Sequence, residues 1–299
     1  MPDRSPRWHR ALFVILVLQV AAMAQTITAA EAIQRIQQHY PAAPPNTVDT
    51  IKAGEPSTPV TGIATTFLDT MDVLREANRR GANLVITHEP TFYNHLDDTS
   101  FFADDSVYRE KLAFIQQNHM VVFRLHDAIH LTSPDHIATG FIQELGWQNY
   151  MVGDNPSLVT IPKTTLLKLS RDLAAKLDAQ TLRVVGDPNL EVTRVAIRLG
   201  AAGLQKQVTA LRGDVEVLLA GESAEWEAVE YVRDASIQGR HKALVLVGHE
   251  VSEEAGMKKC AEDLRPLFPN LLVIHIPTGQ PLWSLANPPT RSVGERAAK

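Results

Sequence analysis

Three apolar, β-rich runs of this chain each end on a histidine: Asn83 to His88, Val121 to His126, and Ala243 to His249. Ligands of open α/β sheets collect just beyond the carboxyl ends of the strands, so three imidazoles placed there can converge on one crevice. Carboxylates stand beside them. Glu89 follows His88, Asp127 follows His126 with His130 four residues on from that histidine, and Glu250 follows His249 with Glu253 four residues on. Such a mixture of imidazole and carboxylate suits zinc, manganese, iron, cobalt or nickel better than calcium or magnesium.

A single histidine after a strand is ordinarily a hydrogen-bonded turn residue; three in the same setting make a metal the stronger reading. Proline at Pro90 stops the first of these strands from continuing. The four-residue spacing of His126 and His130 puts both on one face of a helical turn. The same spacing joins His249 to Glu253, and a carboxylate so placed can bridge two cations. Paired ions ~3.5–4 Å apart clamp a substrate oxygen and acidify a bound water. The candidate ligands are His88, Glu89, His126, His130, His249 and Glu253, for divalent transition-metal ions. Asp127, His95 and Glu222 are candidates to orient those ligands or move protons, because metal-bound histidines need an acceptor behind them. His95 belongs to a polar loop with Tyr93, Asp97 and Asp98, and Trp226 and Glu227 lie close to Glu222 in sequence. His119, His136, His241 and His275 have no supporting pattern.

The elements that must carry these residues read as alternating strands and helices. Thr28 and Glu31 form a capping box for a first helix that ends before Pro41. Val48 to Lys52 and Val60 to Phe67 read as strands. Asp69 is expected to cap a helix that Gly81 closes, and Asn83 to Thr87 then completes a βαβ unit. The same grammar returns later: a strand from Arg194 to Leu199, a helix from Gly203 to Leu211, and a strand from Val215 to Ala220 ending at Glu222. A further helix and strand deliver His126 in one case and His249 in the other. The expectation is two related βαβ-containing halves facing each other across a shared site. Between them, Thr164 to Leu177 reads as a helix and Leu182 to Val185 as a strand. Ser252 is expected to cap a helix from Glu253 to Leu264, and Leu271 to Ile276 reads as a last strand.

Composition narrows the function. Residues 1–24 read as a secretory signal: Arg4, Arg7 and Arg10 precede an apolar run from Ala11, and Ala22 to Ala24 fits the small-residue cleavage rule. The run is shorter than the ~20 residues a bilayer requires, and no nearby cysteine offers a lipid anchor. The chain is thus expected to be exported, periplasmic or extracellular, without a stable membrane anchor after cleavage. Losing Arg4, Arg7, Arg10 and Asp3 moves the net charge from −5 to −7. An acidic chain without a cluster of Lys and Arg argues against nucleic-acid binding. The single cysteine, Cys260, excludes an intrachain disulfide framework and a Cys-rich metal site. Residues 25–299 read as one domain: a first half over about 25–150, a connector over about 151–182, a second half over about 183–286, and a polar tail from 287.

At its site residues the chain resembles the Nif-three-like dinuclear-metal proteins, some of which are called GTP cyclohydrolase I type 2. Members have Gly-Ala-Asp-Leu-Ile-Ile-Thr-His-His-Pro where this chain runs from Gly81 to Pro90. They have His-x-x-x-Asp at His126 to His130, and Gly-His-x-x-x-Glu at Gly248 to Glu253. Arg183 to Pro188 and Glu253 to Met257 also look like theirs. Two positions depart from the pattern: Glu89 replaces a histidine, and His130 replaces an aspartate. The resemblance implies an α/β/α fold, a site for two divalent transition-metal ions per chain at strand carboxyl ends, and a hexameric ring. It also points to a small-molecule substrate, without saying which. The preferred expectation is a metal-dependent hydrolase of a small phosphorylated or heterocyclic compound; the rival is a metal-binding or scaffolding ring without turnover.

Overall fold

The computed structural model describes residues 26–286 and 288; the expected signal segment and nearly all of the polar tail lie outside them. Helix α1 (Ala29–His39) opens with the Thr28–Glu31 capping box, both bonds of which are present. Then follow β1 (Ile51–Ala53), β2 (Gly62–Thr66), α2 (Met71–Arg79), β3 (Leu84–Thr87), α3 (Ser106–Gln117), β4 (Val121–Arg124) and the one-turn α4 (Asp127–His130). The chain continues through α5 (His136–Leu145), β5 (Met151–Val152), β6 (Asn155–Thr165), α6 (Leu166–Lys176), β7 (Arg183–Val185) and β8 (Glu191–Arg198). It ends with α7 (Leu204–Arg212), β9 (Val217–Ala220), α8 (Glu230–Ile237), β10 (Ala243–Leu246), α9 (His249–Leu264) and β11 (Leu272–His275). No helix among the described residues is long and apolar enough to cross a membrane.

Two sheets result, one ordered β1-β4-β3-β2-β11 and the other β5-β6-β8-β9-β10-β7. In the first, β11, β2, β3 and β4 run parallel. In the second, β8, β9 and β10 do so. The expected halves are therefore real: β2-α2-β3-α3-β4 in one sheet matches β8-α7-β9-α8-β10 in the other. The parallel strands are apolar on both faces because each sheet is covered on both sides. Val73, Leu74 and Ile115 of α2 and α3 cover one face of the first sheet, while Ile33, Ile36, Met257 and Cys260 of α1 and α9 cover the other. Helices α5 and α6 pack on the second sheet from inside, and α7 and α8 from outside.

The two halves are joined through the crossing of α5 and α9, where the helices nearly touch. A β-carbon on Gly140 would lie 2.6 Å from the Gly256 Cα, and one on Gly256 would lie 2.7 Å from the Ile137 Cα. Two glycines thus let the backbones meet, and this contact aims the start of α9 at the ends of β3 and β4.

Three sequence expectations give way. Thr70, not Asp69, caps α2, its Oγ1 accepting the Val73 N–H. Asp69 comes one residue too early and is completely buried 3.4 Å from Lys111 Nζ. Helix α9 starts at His249 with Gly248 as its cap, so Ser252 lies inside it. There the Ser252 hydroxyl donates to the His249 carbonyl at 2.6 Å and accepts the Gly200 N–H at 3.0 Å. Finally, the stretch read as a connector supplies β5 and β6, and β6 is hydrogen-bonded along β8. Beyond its short pairing with β5, β6 gains its long partner only when the second half folds back on it.

Candidate metal centre

Five of the six candidate ligands, Glu89, His126, His130, His249 and Glu253, line one cleft, and His88 lies buried against them. His88 and Glu89 follow β3, His126 and His130 flank the one-turn α4, and His249 and Glu253 occupy the first turns of α9. Helix α4 is held by a residue far away in sequence: Asp49 Oδ1 accepts the N–H groups of His126 and Asp127, and its Oδ2 accepts that of Ala128. The caps that begin α4 and α9 therefore decide where four of the ligands stand.

The imidazoles are oriented by what lies behind them. His88 Nδ1 donates to the Leu125 carbonyl at 3.0 Å, and since a carbonyl only accepts, the neutral ring keeps its free lone pair on Nε2. That Nε2 is buried, has no hydrogen-bond partner and lies 3.4 Å from Glu253 Oε2. His126 Nδ1 is 2.9 Å from Asp127 Oδ1, and His130 Nδ1 is 2.9 Å from Asp135 Oδ2. His249 Nδ1 is 3.5 Å from Glu222 Oε1. In each of these histidines an acceptor takes Nδ1 and Nε2 is left for the cleft, the arrangement that metal-bound histidines require.

The remaining distances draw the group together. The ring of His88 stacks on that of His126 at 4.8 Å and meets that of His130 at 5.0 Å. Glu253 Oε2 is 3.0 Å from His249 Nε2 as well as close to His88, so one oxygen serves two imidazoles. Glu89 Oε1 is 3.3 Å from His249 Nε2 and 3.6 Å from His126 Nε2. Two sets have ligand atoms within 4.8 Å of one another, His88/His126/His130 and His88/Glu89/Glu253. An orphaned buried nitrogen, carboxylates between imidazoles and tied Nδ1 atoms all fit a bound ion.

Electrostatics agree. Burial opposes ionisation of Glu253, yet its contacts with His249 and His88 hold its carboxyl well below the usual range. Burial likewise opposes a charge on His249, but Glu222, Glu253 and Glu89 together push it up to about 12. His126 goes the other way, down to about 4, through burial and the neighbouring His88. An ion taking the His249 nitrogen displaces the proton that the carboxylates hold there.

Of the supporting candidates, Asp127 Oδ1 lies against His126 Nδ1, and its other oxygen is held by Thr47 Oγ1 at 2.9 Å and the Val48 N–H. Glu222 stands behind His249, and the His95 ring lies 6.0 Å from that of His126. Asp97 binds Lys52 and the Phe92 N–H rather than facing the ligands. Trp226 is 82% exposed, and neither it nor Glu227 lines the cleft. Of the unsupported histidines, His136 pairs with Asp263 and His275 with Glu254. Sequence reasoning missed Asp49, Gly200 and Arg124. A buried arginine in an apolar strand is the one local oddity that marks the last of them.

An α/β protein with two matched halves, and a site able to hold a metal ion at the carboxyl ends of its strands, is what fold and site define together. The chain belongs to the Duf34/NIF3 (NGG1p interacting factor 3) family, whose model matches residues 27–280. Solved structures share the fold. Staphylococcus aureus protein SA1388 is 17% identical with a TM-score of 0.68, over 87% of this chain and 100% of that one. A Bacillus cereus protein related to NIF3 is 15% identical with a TM-score of 0.69, over 88% and 100%. Protein ybgI, of unknown function, is 22% identical with a TM-score of 0.64, over 86% and 100%. No curated protein matches the chain.

Proposed function

We propose that this protein is a dinuclear metal-dependent hydrolase of a small phosphorylated or heterocyclic compound. The observation that carries the reading is Glu253: a buried carboxylate with one oxygen between His88 and His249, facing a cleft into which His126 and His130 also turn. In this reading His88, Glu89, His126, His130, His249 and Glu253 would hold two divalent ions, Glu253 serving both. The metal is zinc, manganese, iron, cobalt or nickel by the nature of the donors. Two such ions, when bound, polarise a substrate oxygen and acidify a water.

The protein's own groups then have definite tasks. Asp127, Asp135 and Glu222 hold the Nδ1 protons of His126, His130 and His249, so the rings present Nε2. His95, beside His126, is placed to carry a proton to or from a substrate. Arg198 and Lys206 line the cleft and supply positive charge for a phosphoryl group, while Phe67, Met71 and Val247 supply apolar wall for a ring. The cleft measures about 1860 Å³, roomier than the ~300–1,000 Å³ of ordinary ligand sites. The side chains of His126, His130 and His249 stay partly exposed in it, which favours turnover over a closed metal-holding scaffold, because catalysis needs an accessible coordination position. The hexameric ring implied by the family resemblance, and export directed by residues 1–24, complete the proposal.

Elemental analysis of residues 25–299, purified without chelator, tests it against Glu253→Ala and His249→Ala. The expected result is about two transition-metal ions per chain in the parent and loss of at least one in each variant. Full occupancy in the variants, or no stoichiometric metal in the parent after reconstitution, overturns it.

A further inference from the structure

Glu89 is one of the two ligand positions at which this chain has its own residue, and the structure shows what accompanies it. Arg124, the last residue of β4, is completely buried. Its Nε donates to the His88 carbonyl at 3.1 Å, its Nη1 to the His95 carbonyl at 2.6 Å, and its Nη2 to Glu89 Oε2 at 3.0 Å. The other nearby carboxylate, Asp97, is 3.6 Å away and already has Lys52 at 3.2 Å. A buried guanidinium is tolerated only with a counter-ion and satisfied donors, and Glu89 is the anion it binds most closely.

The two oxygens of Glu89 are thereby divided. Oε2 belongs to Arg124, while Oε1 faces His126 and His249. The guanidinium fork cannot be moved to free Oε2 without breaking its bonds to two backbone carbonyls, so the division is rigid. His130 shows the mirror arrangement, an imidazole with the Asp135 carboxylate behind it. The anionic ligand thus has a cation at its back, and the neutral imidazole an anion.

We propose that Arg124 is a positioning residue of the metal centre: it makes Glu89 a one-oxygen ligand and cancels its charge, so that the pair acts as a neutral imidazole would. This rests on the metal-centre reading above. Two consequences follow. With Oε2 engaged, Glu89 would have only Oε1 to offer an ion. Through the His95 carbonyl, the same guanidinium also pins the loop that carries His95 against the site.

The test is cobalt(II) titration of chelator-stripped protein, followed by visible absorption, for the parent, Arg124→Met, Glu89→His and the double variant. Each single variant is expected to bind cobalt at least tenfold more weakly, Arg124→Met because Glu89 loses the partner that holds its Oε2 in place and Glu89→His through an uncompensated guanidinium. The double variant, with neither charge, is expected to return to within about threefold of the parent. A purely structural role for Arg124 predicts no such recovery, since the hole left by Met is the same in both backgrounds. Parent-like binding by Arg124→Met, or losses that simply multiply in the double variant, overturns the proposal. A parent that takes up no cobalt overturns the metal-centre reading and this proposal with it, a distinguishable result. Should Arg124→Met fail to fold by circular dichroism, Arg124→Lys carries the test: it keeps the charge but not the fork. Its cobalt band is then expected to shift as Glu89 closes on the ion with both oxygens, and an unchanged band overturns the proposal.

Discussion

Gly200 lies against the carboxylate of Glu253 so closely that a β-carbon on it would overlap Glu253 Oε1 and come within 3.0 Å of His249 Nε2. Its φ of +58° is in the left-handed region. Gly221 closes on it from the other side, where a β-carbon would lie 2.6 Å from the Gly200 N and O atoms. The first turn of α9 is thus packed directly on the loop that follows β8, with no side chain between. Gly200→Ala is expected to cost ~1–2 kcal/mol from backbone conformation alone and to push Glu253 off its position. Thermal unfolding and metal content measured together check this: the variant should fold yet bind metal at least tenfold more weakly. Unchanged metal content would separate the close packing from the site.

Asp127 accepts the His126 Nδ1 proton at 2.9 Å and is fixed by Thr47 and Val48. Loss of such an outer partner typically costs 10–100-fold in metal affinity. Asp127→Ala is accordingly expected to lower affinity by that factor while leaving the fold intact, since Asp49 still caps α4 through backbone contacts. Competition with a chromophoric chelator measures it; a loss under threefold would count against a role for Asp127 in orienting His126.

His136 gives the stability a pH dependence. Burial and the nearby Lys259 push it down to about 4, although Asp263 and Asp135 pull the other way. Between pH 4 and the unfolded value near 6.5, the unfolded chain carries a proton that the folded one refuses, so stability falls as pH falls through that window. One proton corresponds to at most ~1.4 kcal/mol per pH unit. Denaturant titrations of the metal-free protein across pH 4 to 7 should show this slope, reduced in His136→Phe. An equal slope in the variant would assign it to other groups.

Much of the site was legible before any coordinates, because its signals are local. Leu84 to Thr87 and Val121 to Arg124 are apolar enough to be central strands, and each is followed by a histidine within two residues. The four-residue spacings of His126/His130 and His249/Glu253 are read directly as one helical face. The alternation of strand and helix around β2–β3 and β8–β9 exposed the two halves. What escaped involves partners far apart along the chain. Asp49 caps α4 from 77 residues away, and nothing around it in sequence points there. Arg124 looks like an error in an apolar strand until Glu89 is brought to it. The strand β6 was invisible because its ladder partner, β8, begins 26 residues after β6 ends.

By itself, then, the sequence determined the elements, the histidines at their ends and the chemical type of the donors. Hydrophobic periodicity and helical spacing are properties of a few neighbouring residues. Only the tertiary structure decided that the six side chains meet at one site, that an acceptor behind each imidazole leaves its Nε2 for that site, and that Glu89 divides its oxygens between Arg124 and the site. Those relations are set by the crossing of α5 over α9 at Gly140 and Gly256, and by acceptors such as Leu125, Asp49 and Asp135. A ring nitrogen's direction depends on the partner behind it, and the fold brings that partner from another element.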